Sequence, residues 1–336
     1  MSTAAVDMAE PLVAYSWQMS QWQHLQQLIE SDRLPHALLL VGPDSIGKLR
    51  FAKALAGYLL CESPGQLAAC GHCRSCHFQI DASNPDYREI CPDEGKRQIG
   101  IDQVRSLLHF SGQHAHRDNG KKIVVIHPAE AMNVYTANAL LKTLEEPNAG
   151  TILILVSHSS SQLLPTIRSR CVQLRFGVPD TALAQSWLRD YVGDGELSKT
   201  LLREVGGRPL AARQTFDDDG LAVRQSFDSA LTALFEGQKT ALQVAEEFLD
   251  KDTLQVLDWW CRRLMDLSRH QLASHALSAE SWQRFKTLPP ALVMQTLQRG
   301  LELRSGFSRG VALNKRLVLE TLFLEWVALC QRNAAS

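Results

Sequence analysis

HALLLVGPDSIGKLRFAKALAGYLLC, His36 to Cys61, is the stretch that decides the fold. "HALLLVG" is a strand-length apolar run, and "KLRFAKALAGYLLC" repeats apolar residues at helical spacing. Between them lies "GPDSIGKL", Gly42 to Leu49, in which Gly42, Gly47 and Lys48 match the phosphate-loop pattern of Gly, four residues, Gly, Lys. Such a loop wraps phosphate with backbone N–H groups at a helix N-terminus, and the lysine adds a point charge. The hydroxyl that ligates Mg²⁺ in the intact pattern is missing, because Leu49 stands in its place. The strand–loop–helix setting favours a true but degenerate nucleotide loop over a chance match.

Working outward, strands and helices alternate. "DYREICP", "GKKIVVIHP", "GTILILVS" and "RCVQLRF" read as strands, with "GIDQVRSLLHFSGQH" and "VYTANALLKTLEEP" as helices between them. Apolar runs of this length alternating with helices predict an α/β fold with a parallel, doubly wound sheet. A working ATPase of this architecture ends a later strand in Asp–Glu, to hold Mg²⁺ and polarise water. Here "IVVI" runs into His127 and Pro128, and neither replaces a carboxylate. The two missing metal-side elements predict no hydrolysis of ATP by this module alone.

Cys61, Cys70, Cys73 and Cys76, in "CESPGQLAACGHCRSC", are four of the eight cysteines. Two interlocking Cys-x-x-Cys steps after a cysteine nine positions earlier supply four thiolates, which predicts a closed structural zinc site. His72 and His77 are spare. A site without an open position folds an insertion and does not catalyse. Cys91, Cys171, Cys261 and Cys330 are expected to be unliganded.

The chain has 336 residues, Lys+Arg 35 against Asp+Glu 36, and a formal charge of −1. With 45% hydrophobic and 21% charged residues it is globular in composition, long enough for two or three cores. Balanced charge argues against coating nucleic acid or anionic membrane by bulk electrostatics. The first residues lack a basic start followed by an apolar core, so no secretory signal is expected and the cytoplasm is the default compartment. From Val178 the texture turns helical: "PDTALAQSWLRDYV" and "GELSKTLLREVGGRP" suggest a small helical domain, and "FDDDG", Phe216 to Gly220, a linker. Beyond it Leu254, Leu257, Cys261, Leu264 and Leu267 recur every three to four positions, with Trp259 and Trp260 expected in a core or interface. The expected division is 1–177 with a zinc module at 61–76, then 178–219, then 220–336.

"NALLKTLEEP" (Asn138 to Pro147), "IRSRC" (Ile167 to Cys171), the cysteine-rich insertion and the loop together resemble bacterial clamp-loader subunits of the AAA+ class. "NPDYREICPDEGKRQIGIDQVR" is similar to the delta-prime branch of that family. The likeness is dense from about His36 to Phe176. It implies an AAA+ domain, a helical lid and an all-α collar, and a stator in a complex with tau/gamma motor subunits and a delta subunit. Through that complex it implies work on a sliding clamp and primed-template DNA. The resemblance also implies that Arg170 is an arginine finger offered in trans to a neighbour's ATP, oriented by Ser169 and Cys171. Lys142, Glu145 and Glu146 would lie near a subunit interface or the DNA path, without individual roles. An arginine that the motor's lid places on nucleotide has its nearest matches in Arg208 and Arg213 of "VGGRPLAAR". Competing readings are an ATPase acting in cis through Lys48, as in the tau/gamma motors, and a four-cysteine ribbon binding nucleic acid.

Overall fold

The computed structural model describes residues 12–113, 115–116, 120–218, 220–273, 277, 280–308 and 314–334. Two compact units divide the chain, Met1–Arg213 and Gln214–Ser336.

In the first unit the elements run α1 (Met19–Glu30), β1 (Ala37–Val41), α2 (Lys48–Leu60), α3 (Arg74–Ile80), β2 (Tyr87–Ile90), α4 (Ile101–Ser111), β3 (Lys122–Ile126), α5 (Val134–Glu145), β4 (Thr151–Ser157), α6 (Pro165–Arg168) and β5 (Val172–Arg175). The strands form one sheet in the order β2-β3-β4-β1-β5, and every pairing is parallel. All five strands expected from the sequence are present. β1, β3 and β4 are buried along their whole length, which is why they read as unbroken apolar runs.

Side-chain alternation divides those runs between two cores. Leu39, Val124, Ile126, Leu153 and Leu155 face α4, α5 and α6, where Val104, Leu107, Leu140 and Ile167 meet them. Leu38, Leu40, Ile123, Val125, Ile154 and Val156 face α1 and α2, against Trp22, Leu25, Phe51 and Leu55. Helices therefore cover both faces, as a doubly wound sheet requires.

Three helices complete this unit: α7 (Thr181–Val192), α8 (Gly195–Glu204) and most of α9 (Pro209–Asp217). Asp180 and Asp194 cap α7 and α8, each side chain accepting from two backbone N–H groups. Gly193 ends α7 in the left-handed conformation at φ 79°. The expected linker at Phe216–Gly220 is largely helical: α9 runs through Asp217 and the next helix begins at Gly220. Residue 219 lies outside the described residues.

The second unit holds α10 (Gly220–Phe235), α11 (Ala241–Glu247), α12 (Thr253–Ala273), α13 (Pro290–Ser308) and α14 (Lys315–Ala334), with a 3₁₀ segment at Glu280–Phe285. Trp260, Trp282, Phe285, Phe323 and Trp326 are fully buried at its centre, and Trp259 is buried with them. Leu257, Cys261, Leu264 and Leu267 form the buried stripe of α12, as their spacing predicted. Inside this core Arg263 Nε donates to Asp228 Oδ1 at 2.8 Å and its Nη2 donates to Oδ2 at 2.6 Å. Trp282 Nε1 also donates to Asp228 Oδ1, at 2.8 Å.

Candidate functional site

The phosphate loop leaves the C-terminal end of β1 and enters α2, and its glycines are sterically required. A Cβ on Gly42 would sit 2.1 Å from the carbonyl oxygen of Phe176. Gly47 caps α2 at φ 91°, and a Cβ there would lie 2.5 Å from the Tyr15 ring. That ring belongs to a segment packed over the loop. Tyr15 stacks on Trp17 with centroids 4.5 Å apart, and Trp187 of α7 meets both edge-on. Trp17 Nε1 and Gln18 Nε2 each donate to the Ile46 carbonyl at 3.0 Å. Leu49 turns into the core beside α1 and α2.

Lys48 points inward and is only 2% exposed. Its ammonium donates to the Pro43 carbonyl of its own loop and to His158 Nδ1 at 3.0 Å. His158 follows β4, and its Nε2 lies 3.1 Å from Nε2 of His127, which follows β3. With Nδ1 accepting from Lys48, the His158 proton sits on Nε2 and is donated to His127. The His158 backbone N–H donates to Glu130 Oε1 at 2.8 Å. Burial, opposed by Asp44 and Glu130, brings the Lys48 pKa down to about 8. Burial first, and His158 next, depress His127 to about 4; burial also lowers His158. Asp44 is held below its ordinary value: burial works to raise it, but His158 and the Ser45 N–H outweigh that.

Cys61, Cys70, Cys73 and Cys76 converge, with all four sulfurs within 4.8 Å of one another. Cys61 Sγ and Cys73 Sγ are 4.0 Å apart, and Cys70 Sγ and Cys76 Sγ 3.9 Å. A tetrahedron with Zn–S bonds of about 2.3 Å has an edge of about 3.8 Å, so the sulfurs fit zinc. Backbone N–H groups of Cys70 and Cys76 donate to the sulfurs of Cys61 and Cys73, the orientation that supports thiolates. His72 turns its Nδ1 to the Cys70 carbonyl at 2.8 Å.

Arg170 lies between α6 and β5 on the side of the sheet that carries α5. Its neighbours fix the loop. The Cys171 thiol is buried in the core against α4 and α5, which pushes its pKa up to about 12. Ser169 Oγ donates to the Thr166 carbonyl at 3.1 Å. Arg170 Nη1 donates to that same carbonyl at 3.1 Å, and its Nε donates to Glu145 Oε1 at 2.7 Å. Its side chain remains 33% exposed. Arg208 Nε donates to the Val205 carbonyl at 2.9 Å, and the Arg213 guanidinium lies 4.2 Å over the Tyr191 ring.

Sequence reasoning named the loop, the cysteines and the Arg170 turn. It missed Tyr15, Trp17, Gln18, His158 and Trp187, which close over or beneath the loop. The only local sign was "YSWQ", two aromatics and an amide just before the first helix.

Residues 17–180 match the family described as "DNA polymerase III, delta subunit", and residues 218–328 match "DNA polymerase III, delta subunit, C terminal". The DNA polymerase III subunit delta' of Pseudomonas aeruginosa is 35% identical over 324 residues, covering 94% of this chain and 98% of that protein. Its Escherichia coli K12 counterpart is 30% identical over 318 residues, covering 92% and 94%. Among solved structures, a gamma-subunit-related protein of Thermotoga maritima aligns with a TM-score of 0.46 at 18% identity, over 92% of this chain and 99% of that one.

Proposed function

The chain belongs to the family of DNA polymerase III delta-prime subunits, and from that membership we propose that it is the non-hydrolysing stator of a clamp loader. The observation that carries this reading is the inward Lys48. Its ammonium is used by Pro43 and His158, so it is not offered to a phosphate in the loop. Two further features support it. Tyr15 lies over Gly47, where phosphate would meet the α2 N-terminus, and Leu49 and His127 offer nothing to Mg²⁺.

Arg170 then acts on a neighbour. Clamp-loader motors of the tau/gamma type bind and hydrolyse ATP, and charge on the transferring γ-phosphoryl group is spread over its oxygens. A guanidinium that is permanently charged and forked can stabilise that charge across a subunit interface. Cys171, anchored in the core, and Ser169, tied to Thr166, hold the turn that carries it. The four cysteines hold structural zinc, which fixes the insertion after α2.

The assembly partners in this reading are tau/gamma motors and a delta subunit, acting on a sliding clamp and primed-template DNA in the cytoplasm. The helices after residue 220 serve as the collar, and α7 to α9 as a lid-like domain spanning 178–219. Among the described residues no helix is long and apolar enough to cross a membrane.

The test is a clamp-loader complex reconstituted with Arg170→Ala. Arginine fingers contribute about 10³–10⁵ in rate where they complete a site. A clear loss of DNA-stimulated ATPase with assembly intact supports the finger. An unchanged rate in an intact complex refutes it.

A further inference from the structure

Arg170 is already occupied within its own chain. Its Nε and Nη2 both donate to Glu145 Oε1, so one edge of the guanidinium fork is spent on a single carboxylate oxygen. Its Nη1 is turned back to the Thr166 carbonyl. Phosphate recognition by arginine uses the same forked edge that Glu145 now holds. A carboxylate at that edge also repels an incoming phosphate, because both are anions competing for the same donors.

The carboxylate's own position makes it a replaceable partner. Glu145 is the last residue of α5, where the negative end of the helix disfavours an anion. Arg170 offsets that cost while the two are paired. Both side chains are substantially exposed, 33% for Arg170 and 50% for Glu145, so solvent screening keeps the pair weak. Lys142 lies exposed one helical turn earlier on α5, at the i,i+3 spacing from which it can take up Glu145.

We propose that Glu145 is a latch, holding Arg170 retracted until a neighbour's nucleotide phosphate displaces it. This rests on the reading of Arg170 as a finger acting in trans, and it makes Glu145 a positioning residue. Before displacement the guanidinium faces its own chain. On displacement the Nε–Nη2 edge is handed from carboxylate to γ-phosphate oxygens, and Glu145 passes to Lys142. No covalent bond changes, and the subunit gains a threshold against hydrolysis in a complex that is not properly closed.

The experiment compares complexes carrying wild-type chain, Glu145→Ala, Arg170→Ala and the double variant, with ATPase measured without and with primed DNA. Removing a weak exposed pair should raise the DNA-free rate about twofold to fivefold. The ratio of DNA-stimulated to DNA-free rate should fall by the same factor. In the double variant the rise should vanish, because no finger remains to be released. If Arg170→Ala lowers the rate but Glu145→Ala leaves the DNA-free rate unchanged or reduced, the latch is overturned while the finger stands. If Arg170→Ala changes nothing in an assembled complex, the finger itself falls and the latch with it. Thermal unfolding of each free chain checks folding, and Glu145→Gln, which removes the charge at constant shape, replaces the alanine variant should that one unfold.

Discussion

The Lys48 ammonium lies 3.0 Å from Nδ1 of His158, so the lysine of the loop is bound to the residue that follows β4. β4 delivers His158 to the C-terminal edge of the sheet next to β1, where a parallel α/β sheet ordinarily binds its ligand. The contact fills that crevice from below, and Tyr15 lies over the loop from the other direction.

Removing the lysine should therefore damage the fold rather than a reaction. In Lys48→Ala, the Pro43 carbonyl and His158 Nδ1 lose their shared donor in a buried setting. The expected cost is about 1–3 kcal/mol, the desolvation penalty of unsatisfied groups. Urea unfolding of the free chain measures it. Titration calorimetry with ATP and Mg²⁺ should give no binding isotherm for the parent chain or the variant. Saturable binding that Lys48→Ala abolishes would overturn this account and revive hydrolysis in cis.

Acid should weaken the same site in a defined window. The folded-state pKa of His127 is about 4, below the ordinary value near 6.5. Between those values the unfolded chain binds the extra proton and the folded chain does not, so stability falls as pH drops from about 6.5 to 4. A difference of about 2.5 units corresponds to at most about 3.4 kcal/mol. His158 is shifted in the same direction and adds to the slope. Lys48 has its window between about 8 and its ordinary 10.5, where stability rises with pH. His127→Asn should flatten the acid limb of a stability-against-pH curve. An unaltered limb would show that His127 titrates normally in the folded chain.

How much of this was legible in the sequence follows from the range of the interactions. The strands, the loop and the cysteine site are set by local period and spacing, so "ALLLV", "KIVVI" and "TILILV" declared themselves. The closure of the loop depends on Tyr15 reaching Gly47 and His158 reaching Lys48, contacts between residues 32 and 110 positions apart. No periodicity encodes these. The linker at 216–220 was misread for the opposite reason: a run of Asp and Gly suggests a turn, yet α9 carries Phe216 and Asp217 in a helix. Glu145 was placed by resemblance near an interface or the DNA path without a role of its own, because its partner Arg170 lies 25 positions away across a strand.

Metal should be stoichiometric and local in effect. The four sulfurs fit one tetrahedral ion, so metal analysis of purified chain should return one zinc per chain. Cys73→Ser removes a thiolate that also caps α3 through its contact with the Cys76 N–H. Hydrogen exchange should then rise across 61–80, while amides of β3 and β4 stay protected. Uniform loss of protection would mean that the insertion supports the whole sheet.

The C-terminal unit has one buried charge pair, Asp228 with Arg263, among its described residues, and the two side chains are only 7% and 6% exposed. Asp228 also takes the Trp282 indole N–H, so it joins α10, α12 and the 3₁₀ segment before α13. Asp228→Ala leaves the Arg263 guanidinium without its carboxylate and the indole without its acceptor, inside an apolar core. Breaking such a pair from one side costs about 3–5 kcal/mol, far more than an exposed pair. Trp259, Trp260, Trp282 and Trp326 all belong to this unit, so tryptophan fluorescence reports its unfolding strongly. Asp228→Ala should move that transition to markedly lower urea, and Trp282→Phe, which loses the N–H donor and part of the buried ring volume but leaves the ion pair intact, should move it by less. Equal shifts would mean that the indole ring contributes as much as the ion pair. If neither variant moved the transition, Asp228 would be solvated and the packing of α10 against α12 would need another explanation.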